Sequence, residues 1–582
     1  MNFEDMTKEQ LIEYIKNLNE EQNGKYGLVW DKEKEPEQIV VECDKFIPVL
    51  AEQKNKNIDN GGQDNILIEG DNFHSLSVLN YTHKEMVDII YIDPPYNTGN
   101  KDFIYNDRFV DIEDGYRHSK WLNFMSKRLR LARNLLKEDG FILISIDDNE
   151  YAQLKLLCDS IFGERNLLSI QHIQVRYENK SLNEKNDWQP VMEYVLVYAK
   201  NKFSFKANKP SESYSIDSFV YSFEELSEGE TITLGNRKVT IFKPGEWKQN
   251  KSNVGKMDLL KETWASGSVL KGNTSGKFFD LYISKRKEID GLNCLYKVEG
   301  IGEDGLGYRY FTGPQKETST RGKFYSGVPL DRVEELKNGT SKKYRPITNF
   351  HDYSGDFGNI RHEGGVGFNS GKKPIKMLKE FINYHPNKDS IVLDFFAGSG
   401  STGHAVLDLN KEDNGKRKFI LCTNNENNIC EEITYERLKN VINGIGSQDG
   451  LSGKLKYFKT EFVDYAGTKD QLYYDLTEKC IPMLCVKEET FIKEISNNEF
   501  AIYRNDDSSK FTCVYFDIFG LKFEEFINTI KDIDKMKYLY IFTLGDYIDK
   551  SILENINNYS VEPIPYRIVE LYKKVVKMSK EA

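Results

Sequence analysis

The sequence predicts an open α/β sheet interrupted by a β-rich insert. Three observations point there. Strand-like apolar runs alternate with helical periodicities on both sides of residues 201–364. Several of those runs close on acid, glycine or proline, as in NILIEGD (65–71), MVDIIYIDPPY (86–96) and DSIVLDFFAGSG (389–400). Turns of that kind lie at the carboxyl ends of strands, where open sheets bind ligands. Between the two halves, the chain becomes rich in glycine, aromatic and basic residues with little helical periodicity, most densely from Gly300 to Pro329.

Residues 1–60 read as a helix followed by irregular chain, with Leu11, Ile12, Ile15 and Leu18 spaced along one helical face. A catalytic half then spans 61–200. It begins with a strand at Asn65–Asp71, a helix through Phe73–Leu79 and a second strand at Met86–Ile92. A helix over Ser119–Lys137, a strand at Gly140–Glu150, a helix from Tyr151 and a strand at Val191–Lys200 complete it. The insert covers 201–364. Alternation resumes over 365–445 with the helix KKPIKMLKEFINYH, a strand ending at Asp394, a helix starting near Ser401 and the strand KFILCTNN. Residues 446–582 form a small C-terminal α/β domain, with strands FTCVYFDIF and KYLYIFTLG and the helix FEEFINTIKDI.

A chain of 582 residues, 39% hydrophobic and 29% charged, suits a soluble protein of several domains. It has no apolar run long enough to span a membrane, so no membrane partner is expected. The N-terminus is acidic and amphipathic, unlike a signal peptide. The eight cysteines include no CxxC pair. Neither a zinc ribbon nor a disulfide framework is indicated, no His/Cys cluster suggests a bound metal, and a cytoplasmic location is expected. The net charge is -11, but residues 201–380 hold 30 Lys and Arg against 23 Asp and Glu, a net of +7 within an otherwise acidic chain. A basic middle section predicts a local surface for a polyanion.

Two motifs carry chemistry. In DFFAGSGSTG, Gly398 and Gly400 let a ligand lie against the backbone, and a helix N-terminus faces the same space. The spacing is GxG, not the GxGxxG of dinucleotide folds. Glu426, just beyond the next strand, stands where a ribose diol is gripped, with Asn425 as a competitor. In Asp93-Pro94-Pro95-Tyr96 the prolines fix φ and remove two donors, leaving carbonyls beside a carboxylate and an aromatic plate. Such a group suits a planar base bearing an amino group.

Together, DPPY and a downstream DxFxGSGxT resemble the amino-methylating DNA methyltransferases that use S-adenosylmethionine. DPPY comes first and the glycine loop last, as in the permuted class called β. The leader YGLVWDKEKEPE, the chain length and the C-terminal section resemble the modification subunits of type III restriction systems. The resemblance implies a Rossmann-like methyltransferase sheet in permuted order with an inserted target-recognition domain. It implies an adenine-specific DNA methyltransferase acting on N6 in a specific duplex sequence, because Asp rather than Ser precedes the prolines. Cytosine N4 and a non-catalytic recognition subunit are the alternatives. It also implies that Asp93, Pro94, Pro95 and Tyr96 are catalytic, with Tyr96 stacking on a flipped base so that phenylalanine could replace it. Asp71, Phe368, Asn369, Lys373, Asp394, Phe396, Gly398, Gly400, Thr402 and Glu426 are implied to bind the cofactor.

The insert is then expected to read DNA, with Lys271, Lys277, Arg286, Lys287, Arg309, Arg321 and Lys323 as candidate phosphate or base contacts. Asp147, Asp148 and Glu150 read as caps of the helix that starts at Tyr151 rather than as metal ligands. No GxxxxGK[ST] phosphate loop occurs, so any DNA cleavage requires a separate helicase–nuclease subunit. Double-stranded DNA is the partner the resemblance implies; that subunit and a second copy of the chain are the partners it leaves open, with the C-terminal section as the docking site for either.

Overall fold

The computed structural model describes residues 30, 37–43, 45–99, 102–106, 108–180, 187–265, 274–367, 371–446, 448–464, 468–517 and 519–581. It divides into two compact units: residues 1–208 with 348–582, and Lys209–Ile347.

The larger unit is built on one sheet. Its main strands are β1 (Phe46–Glu52), β2 (Asp64–Glu69), β3 (Val87–Ile92), β4 (Leu136–Ile146), β5 (Leu167–Gln174), β6 (Met192–Ala199), β7 (Phe350–Asp352), β8 (Ile391–Asp394), β9 (Lys418–Thr423) and β10 (Lys454–Asp464). Their order in space is β1-β10-β2-β9-β8-β3-β4-β6-β5-β7. From β10 to β4 all neighbours are parallel. β3 and β8 are buried in the middle, which is why they read as continuous apolar runs rather than as alternating ones. Helices α1 (Asn72–Thr82), α2 (Arg117–Leu135), α3 (Tyr151–Cys158), α4 (Ile375–Ile382), α5 (Ser401–Asp413) and α6 (Glu436–Asn443) connect and cover these strands.

Parallel connection brings the carboxyl ends of β2, β9, β8, β3 and β4 to one edge. β6 runs antiparallel to β4, with Ile146 opposite Tyr194, so the start of β6 lies at that same edge. The two motif strands, about 300 residues apart in sequence, are direct neighbours, with Val392 beside Ile89 and Leu393 beside Ile90.

Several boundaries differ from those the sequence predicts. Residues 46–52, expected to be irregular, form strand β1, antiparallel to β10. Residues 348–364 belong with the larger unit, because Phe350–Asp352 pairs with β5. Residues 454–464, expected in the C-terminal domain, complete the main sheet beside β2. In each case a short run gains its hydrogen bonds from a partner remote in sequence. The remaining C-terminal chain forms a five-stranded mixed sheet with helices. Its last helix, Tyr566–Glu581, returns to β1, where the Tyr572 hydroxyl donates to the Pro48 carbonyl at 2.6 Å.

The second unit centres on an eight-stranded antiparallel sheet. Phe278, Phe279 and Ile283 from a helical segment pack with Val239, Val298 and Phe311 to form its main core. Among the described residues, no helix is long and apolar enough to cross a membrane.

Candidate active site

At the carboxyl edge of the main sheet lies a cavity of about 1320 Å³. The DPPY tetrapeptide lines it, as do Asp71, Lys373, Asp394, Phe396, Gly398, Thr402 and Glu426. The two motifs therefore meet in one space. Gly400 stands just behind it as the N-cap of α5. Phe368, Asn369 and Lys271 lie outside the described residues.

The glycine loop is held from beneath. Asp394 accepts a 3.0 Å bond from the Phe396 amide and a 2.5 Å bond from the Thr402 hydroxyl in the first turn of α5. Gly398 and Gly400 have φ of 49° and 76°, in the left-handed region that favours glycine. A Cβ on Gly400 would approach the Thr434 side chain to 3.2 Å, whereas one on Gly398 would point into nearly open space. Gly400 is thus needed for packing and turn, Gly398 for the turn and for access. Arg437, fully buried, ties Ser399 and Ser401 of the loop to Glu363. Burial pushes the Asp394 carboxyl up to about 7, against the Thr402 and Phe396 bonds, with nearby Asp93 adding to the rise.

On the other side of the cavity, helix α2 supports both corners. The Trp121 indole donates to the Pro95 carbonyl at 2.7 Å. Of the two proline carbonyls, this leaves Pro94's as the candidate acceptor. Arg128, also fully buried, pairs with Asp71 at 3.3 Å and with Glu37 at 2.8 Å, and its guanidinium lies 3.6 Å from the centre of the Phe124 ring. Phe124 in turn packs against Phe396 at 5.8 Å. Asp71 caps α1 by accepting from the Phe73 amide at 2.7 Å.

The acid of the tetrapeptide sits in a charged knot. Asp93 Oδ1 accepts from the Tyr96 hydroxyl at 2.9 Å and forms an ion pair with Lys373 Nζ at 3.2 Å. Lys373 Nζ also lies 2.8 Å from Glu193 Oε2 and 2.7 Å from the Tyr96 oxygen. Burial raises the Asp93 carboxyl, Lys373 lowers it, and Glu193 raises it again. The Tyr96 ring faces Lys373 at 5.0 Å, but its hydroxyl is a working part of the knot. Phenylalanine would keep the ring and lose these hydrogen bonds.

The capping role expected of Asp147, Asp148 and Glu150 is not what forms. Glu150 occupies the N-cap position of α3 with no side-chain cap bond. Instead it is fully buried and bonds Asn97 at 2.5 Å and His118 at 2.7 Å. Asp147 closes a local turn on the Asn149 amide. Among the described residues, no group of three His, Cys, Asp or Glu could hold a metal.

In the second unit, the basic candidates divide. Lys277 and Arg321 are exposed. Arg286 is committed to Asp290 by two bonds, Lys323 to Glu262 at 2.8 Å, and Arg309 to the Ser275 hydroxyl with Asp304 at 3.7 Å. Lys287 donates to the Glu317 carbonyl.

Residues that sequence reasoning did not name as part of this site are Glu193, Trp121, Arg128 and Arg437. Glu193 comes second in the strand Met192–Ala199, and only the antiparallel pairing of that strand with β4 puts its first residues at the binding edge.

The family model N6_N4_Mtase, described as DNA methylase, matches residues 87–436. The chain is 31% identical to the type III restriction-modification enzyme StyLTI Mod subunit of Salmonella typhimurium, over 67% of this chain and 57% of that protein. It is 32% identical to the EcoPI Mod subunit of Escherichia phage P1, over 65% of this chain and 60% of that protein. The chain thus spans about 60% of the length of these relatives. A crystal structure of a putative DNA modification methylase from Thermus thermophilus, complexed with S-adenosyl-L-methionine, is a remote likeness at a TM-score of 0.30 and 12% identity, covering 68% of this chain and 99% of that one.

Proposed function

The chain belongs to the N6_N4_Mtase family of DNA methylases, and from that premise we propose that it methylates N6 of adenine in a specific duplex DNA sequence, as the modification part of a restriction-modification system. The observation that carries this reading is the meeting of Asp93-Pro94-Pro95-Tyr96 with the Asp394 glycine loop in one cavity on adjacent strands.

The cavity suits S-adenosylmethionine. Its cofactor side combines acids (Asp71, Asp394, Glu426), an aromatic ring (Phe396) and a glycine turn that lets the backbone approach a ligand. That donor set fits a cation that also carries a ribose and a purine. When bound, the cofactor supplies a sulfonium methyl, already a reactive electrophile. The protein's task is then to prepare the amine. The N6 lone pair is delocalised into the ring, and two acceptors on the amino hydrogens draw it toward a tetrahedral geometry. Asp93 Oδ2, which has no protein partner among the described residues, and the Pro94 carbonyl are placed to be those acceptors. In-line positioning of amine and methyl supplies several kcal/mol of barrier reduction. The base must leave the duplex, at about a few kcal/mol. Stacking on Tyr96, about 1–3 kcal/mol, offsets a similar amount.

The second unit reads the sequence, with exposed Lys277 and Arg321 as its available cations; Arg286, Arg309 and Lys323 would first have to leave their internal partners. A separate helicase–nuclease subunit supplies cleavage, and the C-terminal sheet docks it or a second copy of the chain; gel filtration with and without that section tests this. A chromosomal substrate sets the work in the cytoplasm.

The test uses unmodified chromosomal DNA, methyl-labelled S-adenosylmethionine and the full chain. Label is expected in N6-methyladenine, and absent with Asp93→Asn. Label in cytosine would overturn the base assignment, and no label would overturn the reading.

A further inference from the structure

Lys373 and Glu193 take no part in the chemistry as described, yet they are the nearest charges to the acid that does. We propose that they are positioning residues for the proposed methyl transfer: the Lys373 ammonium, clamped by Glu193, keeps Asp93 unprotonated and turned so that only Oδ2 faces the incoming amine.

A lysine ammonium has three donors and no acceptor. Here two of them go to Glu193 Oε2 (2.8 Å) and the Tyr96 oxygen (2.7 Å), and Asp93 Oδ1 lies 3.2 Å from the same nitrogen as its ion-pair partner. The Tyr96 hydroxyl has one proton of its own, and both carboxylates lie within its reach, at 2.9 and 3.0 Å. Both protein contacts to Asp93 fall on Oδ1, leaving Oδ2 for a substrate donor. The Lys373 side chain is 7% exposed, so its charge is scarcely screened by water.

The arrangement matters because a protonated Asp93 would fail twice. It would lose an acceptor for the amino hydrogens, and its O–H would donate to the very lone pair that must attack the methyl. Without the ammonium, nothing would offset the burial and the neighbouring Glu193 charge that both raise the Asp93 carboxyl. Tyr91, whose hydroxyl pairs with Ser145, Asp394 on the adjacent strand and Asp147 near Glu193 are further titratable groups nearby; the charge of Asp93 helps to raise the Asp394 carboxyl, which is therefore neutral where Asp93 takes up its proton. Burial alone would lower the Lys373 ammonium, but Asp93 and Glu193 hold it above its ordinary value. The clamp therefore stays charged wherever the protein is folded and active.

Glu193 is the residue that makes this work from a distance. It arrives on β6, the antiparallel neighbour of β4, and reaches the edge to which parallel strands bring Asp93 and Asp394. Lys373 precedes α4 and is fixed between Tyr96 and Phe357, whose rings lie 5.0 and 5.8 Å from its nitrogen.

The inference rests on the methyltransferase reading, and its test separates the two. The rate of methyl transfer at limiting substrate is measured against pH for the full chain, on unmodified chromosomal DNA with labelled S-adenosylmethionine. Activity should fall at low pH as Asp93 takes up a proton. Lys373→Met should move that acid limb up by about one pH unit or more, the size expected for losing a close opposite charge. Glu193→Gln keeps an oxygen for Lys373 and removes a like charge from Asp93, so its limb should move down. The double variant should return toward the wild-type limb, a rescue that general structural damage would not give. Thermal melting supplies a readout free of activity: Lys373→Met should lose more stability at pH 8 than at pH 5.5, and the double variant should not. Unmoved acid limbs in both single variants of an active enzyme would overturn the inference. An inactive wild type would instead overturn the methyltransferase reading, and a Lys373→Met melting loss equal at both pH values would then overturn the charge clamp as well.

Discussion

Replacing Asp394 by asparagine should stabilise the free protein at alkaline pH while harming its cofactor side. Asp394 is 2% exposed, and burial raises its carboxyl to about 7 from an ordinary 3.8. Between those values the folded state holds a proton that the unfolded chain has released. Stability therefore falls as pH rises through that window, by about 1.4 kcal/mol per unit. Across the whole window this amounts to about 4 kcal/mol, fully developed by pH 8 and absent below about pH 4. Asparagine preserves the local geometry: its oxygen can accept from the Phe396 amide, and its NH₂ can donate to a rotated Thr402 hydroxyl. It never ionises, so its stability lacks this slope. The melting temperature of the variant relative to wild type, measured at pH 5 and pH 8, should shift in the variant's favour by an amount corresponding to about 3 kcal/mol. Equal differences at the two pH values, or a variant that is relatively worse at pH 8, would refute a buried, reluctantly charged carboxylate at this position.

The remaining predictions concern ligands. A bound sulfonium favours the charged form of Asp394, so titration calorimetry with S-adenosylmethionine should show affinity rising from pH 6 to pH 8 in the wild type and flat, weaker binding in Asp394→Asn. Tyr96→Ala should lose methyl transfer severely, through about 1–3 kcal/mol of stacking plus the bridge. Tyr96→Phe should retain base stacking, seen as near-normal DNA affinity, but fall in turnover; equal turnover of phenylalanine and wild type would show the hydroxyl to be idle.

What the sequence made legible was local. β3 and β8 announced themselves because strands buried on both faces are apolar throughout, and their ends because prolines and glycines have few places to go. That Asp93 and Asp394 share a cavity could be expected only through the family resemblance; nothing in either strand names its neighbour. The strand Phe46–Glu52 was illegible because it forms only by pairing with Lys454–Asp464, some 400 residues on. The cations of the insert were equally ambiguous: a lysine or arginine in a sequence does not reveal that Asp290 or Glu262 already holds it.

The charge knot shows why such residues escape. Glu193 sits in MEYVLVYAK, where its neighbours read as a core strand and its charge reads as an exposed exception. Lys373 sits in GKKP beside a second lysine, and only one of the two enters the knot. Lys372 turns away, donating to the carbonyls of Arg361, Glu363 and Val366, and so fixes the chain that leads into α4. The difference between these adjacent lysines is set by direction, which a sequence does not encode one residue at a time. It follows from where α4 begins, and from an antiparallel strand that delivers a second carboxylate to an edge otherwise made by parallel ones. A single cation then serves two acids and a phenol. Its removal should be felt less as a lost contact than as a change in how readily Asp93 ionises, so the pH profile is the measurement in which this knot becomes visible.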